Sequence, residues 1–383
     1  MNNVRVGIVT IYKNNQNYGG LLQAFALQQY VESMGLDCEL ISYERNQQAY
    51  RKMRLKNLGL FRSLKVLVSK IETKIIAYTK ADYRQGIVAR TCCFKAFEME
   101  IKHSVPMNDD DIGQQCSAYQ MMICGSDQIW NPGLWNDVMF LNIQGFEGKK
   151  IAYAASIGRD TLTESERHYM AERICGLDAI SVREKNAARI ARQLTSKKIA
   201  TVLDPTFLLD AEQWQDFARR PEGCPNQFVF SFFLGKNTEA KKNVKELYKG
   251  KLPVVTLPHL QTGYKKEDEK YSDIQLYGVG PHEWVWLICN AQCVFTDSFH
   301  GTAFSINLGK TFCSFPKGKK NDRQSINSRL KDILIECGLG ERFVEDIGSL
   351  EDVLHQQINK DDVKKRIVNK LEFSRQFLKD SLM

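Results

Sequence analysis

RVGIVTIYKNNQNYGGLLQAFALQQYVESMGLDCELISYE runs from Arg5 to Glu44. RVGIVTIY is mostly apolar and short, which reads as a buried strand. NQNYGG follows as a polar, glycine-containing loop. Beyond it, Leu21, Leu22, Phe25, Leu27, Tyr30 and Val31 form a helical stripe, and Gly35 is a stop signal. DCELISYE is the next strand. A strand, loop, helix and strand in this order open a doubly wound α/β domain.

The same alternation continues outward. YQMMICGSDQIWN is a strand ending in a polar turn, and KIAYAASIG is another strand. LDAISVREKNAARIARQL reads as strand then helix, and KIATVLDPTFLL as the strand that leaves the domain. A second run starts near Pro225, with strands in QFVFSFFLG, LPVVTLPH, CVFTDSFHG and KTFCSFP. NTEAKKNVKELYKG and GPHEWVWLICNAQ supply helices, the latter with Pro281 in its first turn. The expected architecture is α/β, two β/α halves of similar size facing across a cleft. The boundaries expected are 1–210 for the N-terminal domain, with a basic helical insertion over about 45–102, 211–345 for the C-terminal domain, and 346–383 for charged C-terminal helices.

The 383 residues suit two domains. The start lacks the long apolar run of a signal peptide, and no stretch reaches the roughly 18 apolar residues of a membrane span, so a cytoplasmic location is expected. Eleven cysteines, scattered and odd in number, fit buried reduced thiols, among them Cys124, Cys289, Cys293 and Cys313. No metal site is expected, because Cys289 and Cys293 lack zinc-knuckle spacing and no His pair follows.

The net charge of +8 is concentrated. Arg45 to Lys102 holds fourteen Lys/Arg against four Asp/Glu, so the remainder is near neutral. This is one basic feature and not the footprint of a nucleic-acid binder. Within it, Leu60, Phe61, Leu64, Leu67, Val68, Ile71 and Ile75 fall on one helical face. Two readings stand: a surface helix packed on its own domain, or a helix resting peripherally on an anionic membrane near a lipid-linked acceptor.

Polar groups recur just after apolar strands: Asn17 to Gly20, Gly125 to Gln128, Arg183 and Glu184, Asp204, and Ser298 to Gly301. Strand C-terminal ends of a parallel sheet converge on one edge, where ligands bind. His300 lies at such an end, beside the free N–H groups of the helix that follows. Each group also has a structural reading: a helix cap or core bond for His300, a turn or N-cap for Asp127, a surface pair with Glu184 for Arg183, and a turn before Pro205 for Asp204.

NYGGLLQAFALQQYVESMG, GSDQIWNP, SVREKNA, VLDPTFLL and TDSFHGTAFSINLGK appear together and in order. This set resembles the polysaccharide pyruvyl transferase family, over roughly Val4 to Ile335. The resemblance implies two facing Rossmann-like domains of GT-B type. It also implies transfer of a pyruvyl group from phosphoenolpyruvate to two hydroxyls of a sugar acceptor, giving a cyclic ketal and phosphate without a cofactor. It places a catalytic histidine at His300, the donor-binding arginine at Arg183 and a functional aspartate at Asp127. Asn17, Gly19, Gly20, Ser126, Gln128, Ser298 and Gly301 fall in the matching loops as substrate-binding candidates. One departure stands out: many relatives read Arg-Leu-His-Gly where this chain reads Ser298-Phe299-His300-Gly301. A cation is missing two residues before the histidine, and Lys310, Lys317 and Arg329 are the candidates to replace it. The competing expectations are a GT-B glycosyltransferase using a nucleotide sugar and a non-catalytic sugar-binding protein of a polysaccharide assembly complex.

Overall fold

A computed structural model describes residues 4–45, 75–76, 78–258, 264–318 and 327–383. Among these residues the first sheet takes β1 (Arg5–Val9), β2 (Asp37–Leu40), β3 (Met121–Cys124), β4 (Lys149–Ala155), β5 (Ala179–Val182) and β6 (Ile199–Thr201). Their order is β2-β1-β3-β4-β5-β6, all parallel. The second sheet takes β7 (Val229–Phe232), β8 (Val254–Thr256), β9 (Ile274–Gln275), β10 (Val294–Thr296) and β11 (Phe312–Ser314), in the order β11-β10-β7-β8-β9, again all parallel. Both faces of each sheet are covered, so the strands read as near-continuous apolar runs. Val6, Ile8, Val229 and Phe230 are all fully buried. The architecture is two Rossmann-like halves of GT-B type, as the sequence pattern implies.

Strand order fixes where a ligand can enter. In the first sheet β1 leads outward to β2 on one side and β3 lies on the other. In the second sheet β7 leads to β8 on one side and β10 lies on the other. These reversals are the switch points at which neighbouring crossovers diverge and leave a crevice. The segments that leave them are Thr10 onward and Gly125–Gln128 in the first half, and Leu234 onward and Asp297–Gly301 in the second.

Seven helices carry the remaining argument: α1 (Tyr18–Ser33), α2 (Ala81–Glu100), α3 (Lys185–Arg192), α4 (Pro281–Asn290), α5 (Phe299–Asn307), α6 (Ser328–Glu336) and α7 (Lys360–Leu382). Helix α1 starts at Tyr18, so the two glycines expected in a loop belong to its first turn. Tyr18 of α1 stacks on Trp284 of α4, with ring centroids 5.5 Å apart. Phe232 and Phe304 meet the same indole edge-on. Aromatic rings from both halves therefore form one core across the seam.

Helix α2, from the basic insertion, fills that seam. The Arg90 guanidinium donates to the carbonyls of Tyr277, Pro258 and Leu276 in the second half. Gly86 lets α2 approach closely, since a Cβ there would lie 2.4 Å from Tyr277 Cβ. Helix α7 returns from the second half to the first: Leu203 N donates to Ser374 Oγ at 2.9 Å, and Arg375 donates to Leu208 O. The apolar stripe from Leu60 to Ile71 lies outside the described residues. Among the described residues no helix is long and apolar enough to cross a membrane.

Because Trp284 is fully buried at the seam, Trp284→Ala should cost about 3–5 kcal/mol. The expected readout in urea is a lower midpoint with an unchanged slope for the whole chain.

Candidate active site

Four segments that leave sheet edges build the site. Asp127 follows β3 in the left-handed region (φ +60°), a conformation that Asp tolerates better than bulkier residues. Its backbone carbonyl accepts from Ile129 and Ser156, which pins the turn. Arg183 and Glu184 follow β5, with Glu184 at the N-terminal boundary of α3 and its carboxylate accepting from Ser156 Oγ. Asp204 follows β6 and caps the short turn at Pro205. His300 lies in the first turn of α5, after Ser298, whose Oγ accepts from Gly301 N.

These side chains meet in a buried charge cluster. Arg183 Nη1 donates to Asp204 Oδ2 at 2.6 Å. Arg183 Nη2 lies 3.6 Å from Asp127 Oδ1, and its Nε lies 3.7 Å from Glu184 Oε2. His300 Nε2 faces Asp204 Oδ2 at 3.5 Å. The other oxygen of Asp204 accepts from Thr206 N and Oγ1. Asp204 therefore joins a cation of the first half to the imidazole of the second. Arg183, Asp204 and His300 are all buried, so Arg183 is no surface arginine. Its guanidinium also lies over the Phe299 ring, 4.0 Å from the centroid. Burial pushes the Asp204 carboxyl up, but His300 and Arg183 outweigh it and hold the group well below the usual carboxylate range.

Gly19 sets the imidazole's position. A Cβ on Gly19 would lie 2.0 Å from His300 Nδ1, so only glycine lets α1 and α5 come this close. Gly301 is also too close for a Cβ, against Thr296 Oγ1 at 2.6 Å, while Gly20 is less tight, against Ile11 O at 3.2 Å. Asn17, Gly19, Ser298, Arg90 and Lys317 line an adjoining cleft of about 250 Å³. Burial lowers the Lys317 ammonium from its ordinary range, although nearby Asp297 opposes this. Lys265, on the same side of the second half, is lowered to about 8, mainly by burial.

The remaining candidates divide. Ser126 is fully buried and does reach the cluster: its Oγ donates to Asp204 Oδ2 at 3.4 Å as well as to Ala154 O, and its N donates to Gln23 Oε1. Gln128 is taken up by Asn131 and packs on Gly158, so the structure does not bring its side chain to the charge cluster. Lys310 is a correction. It lies beyond the C-terminal end of α5, about 15 Å along the helix from His300, and donates to Cys289 O. Arg329, from α6, does reach the cluster, with its Cζ 5.9 Å from the Phe299 centroid.

Asp204 is the residue that sequence reasoning undervalued. The Asp-Pro pair correctly signals a turn, but only the fold shows that the second carboxylate oxygen is left for Arg183 and His300. Arg90 carried no signal at all, lying in a segment whose visible feature was excess charge. Asp204 gives a pH prediction. Its folded pKa is depressed, so its contribution is fully present above the unfolded value near 4 and is lost as pH falls through the folded value. Asp204→Asn should be less stable than the parent at pH 7 by about 3–5 kcal/mol, since Arg183 loses its closest partner. Urea titrations should show that gap holding above about pH 4 and narrowing progressively as the pH falls below it.

No curated protein sequence matches the chain. Its fold is similar to that of a UDP-N-acetylglucosamine 2-epimerase, with a TM-score of 0.53 at 10% identity, over 100% of this chain and 96% of the other. A putative UDP-N-acetylglucosamine 2-epimerase from Listeria monocytogenes gives a TM-score of 0.50 at 10% identity, over 98% of this chain and 94% of the other. At such identity the likeness is one of fold. The family model for polysaccharide pyruvyl transferases is more specific: it matches residues 17–316. That span contains Asp127, Arg183, Asp204 and His300 and ends before Arg329. The chain belongs to the polysaccharide pyruvyl transferase family.

Proposed function

We propose that the protein transfers a pyruvyl group from phosphoenolpyruvate to two hydroxyls of a sugar in polysaccharide biosynthesis, forming a cyclic ketal and releasing phosphate. The observation that carries this reading is the buried Asp204 carboxylate, which takes the Arg183 guanidinium and faces His300, so that residues from both halves meet inside the family-matched span.

The chemistry has to turn an enol phosphate into an electrophile. A proton delivered to C3 of phosphoenolpyruvate makes C2 electron-poor, and an imidazolium is a suitable acid near neutral pH. We assign this role to His300, with the Asp204 carboxylate 3.5 Å from its Nε2 to balance the ring's charge. The first sugar hydroxyl then bonds to C2 and loses its proton to a carboxylate, the role assigned to Asp127. Phosphate leaves with the bridging oxygen, and the second hydroxyl closes the ring at C2. Two hydroxyl protons are lost: one replaces the proton given to C3, and the other leaves with phosphate. The scheme routes no step through a metal or an organic cofactor.

Substrate placement follows the two switch points. The cleft beside Gly19 and Ser298 abuts His300 and suits the donor. A cavity of about 400 Å³ beyond β1 and β2, lined by Tyr12, Lys13, Tyr43 and Glu44 among others, suits a sugar. Aromatic faces beside charged hydrogen-bonding groups match a pyranose, which is apolar on its faces and polar at its rim.

Phosphate release from phosphoenolpyruvate in the presence of sugar acceptors, measured beside release of nucleotide from UDP- and GDP-sugars, tests the assignment. Acceptor-dependent phosphate release supports it, and turnover of a nucleotide sugar alone replaces it with a glycosyltransferase. His300→Ala should lower kcat by about 10²–10⁴-fold in a folded protein. Gly19→Ala should lower kcat by about 10²-fold by displacing the imidazole, with circular dichroism unchanged.

A further inference from the structure

The cluster contains two buried arginines with unequal surroundings. Arg183 has three carboxylates within 4 Å, those of Asp127, Glu184 and Asp204. Arg329 is only 7% exposed. Among the described residues its side chain has no ion pair and no hydrogen bond, and its Nε is buried without a partner. The carboxylates of Glu184, Asp127 and Asp160 act on it from beyond ion-pair distance, and the neighbouring Arg183 repels it. Both guanidiniums lie by the Phe299 ring, with Cζ atoms 4.0 and 5.9 Å from its centroid. A buried cation with no counter-charge in contact is costly to the folded chain. An oxyanion placed on the unused N–H groups would remove that cost.

We infer that Arg329 is the anion anchor of the donor site, binding the phosphate or the carboxylate of phosphoenolpyruvate. It thereby supplies the cation that Ser298 lacks. This assignment rests on the proposed donor, and it changes the division of labour that the resemblance implies. Arg183 is held by carboxylates and acts mainly as a positioning residue for Asp204 and Asp127. Arg329 carries the charge that the ligand meets. Its place on α6, outside the span matched by the family model, explains why a motif comparison misses it. Lys317 lines the adjoining cleft but is only partly buried and faces Asp297, so its charge is partly used.

The test is calorimetric titration of the full chain with phosphoenolpyruvate, inorganic phosphate and pyruvate, with and without sugar acceptor. Arg329→Gln, Arg329→Lys, Lys310→Gln and Ser298→Arg combined with Arg329→Gln are run beside the parent. Arg329→Gln should weaken phosphoenolpyruvate binding roughly 10- to 100-fold, the loss expected for a charge-assisted hydrogen bond. In turnover it should raise KM more than it lowers kcat. Arg329→Lys should fall between, Lys310→Gln should match the parent, and the double variant should recover most of the affinity. Whichever of phosphate and pyruvate loses binding with Arg329→Gln identifies the group held.

Thermal melting separates a ligand-binding role from a structural one. Without ligand, Arg329→Gln should melt at or above the parent, because the parent buries an unpaired charge. A Tm several degrees lower, or a variant that fails to fold, marks a structural arginine and overturns the assignment. So does phosphoenolpyruvate affinity within threefold of the parent. If the parent binds no phosphoenolpyruvate under either condition, the proposed donor falls and inorganic phosphate decides alone. Phosphate binding that Arg329→Gln abolishes keeps the anion site, while equal or absent phosphate binding removes it.

Discussion

The Asp204 carboxylate is the point on which the site depends. One oxygen caps the turn that ends the first half, and the other takes the Arg183 guanidinium and faces the His300 imidazole of the second half. All of this occurs with almost no solvent contact, so charges that water would screen act at close range. Each partner makes burial of the others tolerable. That interdependence sets the distance between the two sheet edges locally, since α5 can only approach as far as Asp204 and Gly19 allow. The seam aromatics Tyr18, Trp284 and Phe304 then pack around a spacing fixed by polar contact at one end.

A buried pair of this kind is weak evidence for stability, because removing charge from water costs several kcal/mol per ion before any attraction is counted. Hydrophobic residues of similar volume would hold the halves together at least as well. Retaining an imidazole, a guanidinium and three carboxylates in one dry place therefore speaks for chemistry. The aromatic seam and the return of α7 onto the first half supply the packing that the site itself does not.

Much of the fold was legible because each parallel strand is covered on both faces and so writes its whole length in apolar residues. Strands β1, β3, β4, β5, β7 and β10 all fall inside the runs read from sequence. Loops that end such strands share one edge by topology, so gathering Asp127, Arg183, Asp204 and His300 needed only the strand pattern. What the pattern lacks is distance. It could not separate Lys310 from Lys317, since a lysine at the far end of a helix looks the same in sequence as one that lines the cleft. Nor could it show that α2 crosses to the second half, because Arg90 binds backbone carbonyls, and carbonyls have no sequence signature.

The serine at 298, where the resemblance implies an arginine, shows how position and function come apart in such a site. A cation two residues before the histidine would stand at the N-terminal end of α5, where the helix dipole already favours an anion and disfavours another positive charge. Ser298 instead caps that helix through its hydroxyl, a neutral group that leaves the end of the helix electropositive. A charge brought in from α6 reaches the same ring of Phe299 from outside the helix, with a backbone that is free of the capping requirement. Separating the cap from the cation lets each be satisfied on its own terms. The consequence is that a key charge lies on an element beyond the recognisable motifs, and it is spatial proximity to Arg183 that singles Arg329 out from Lys310 and Lys317.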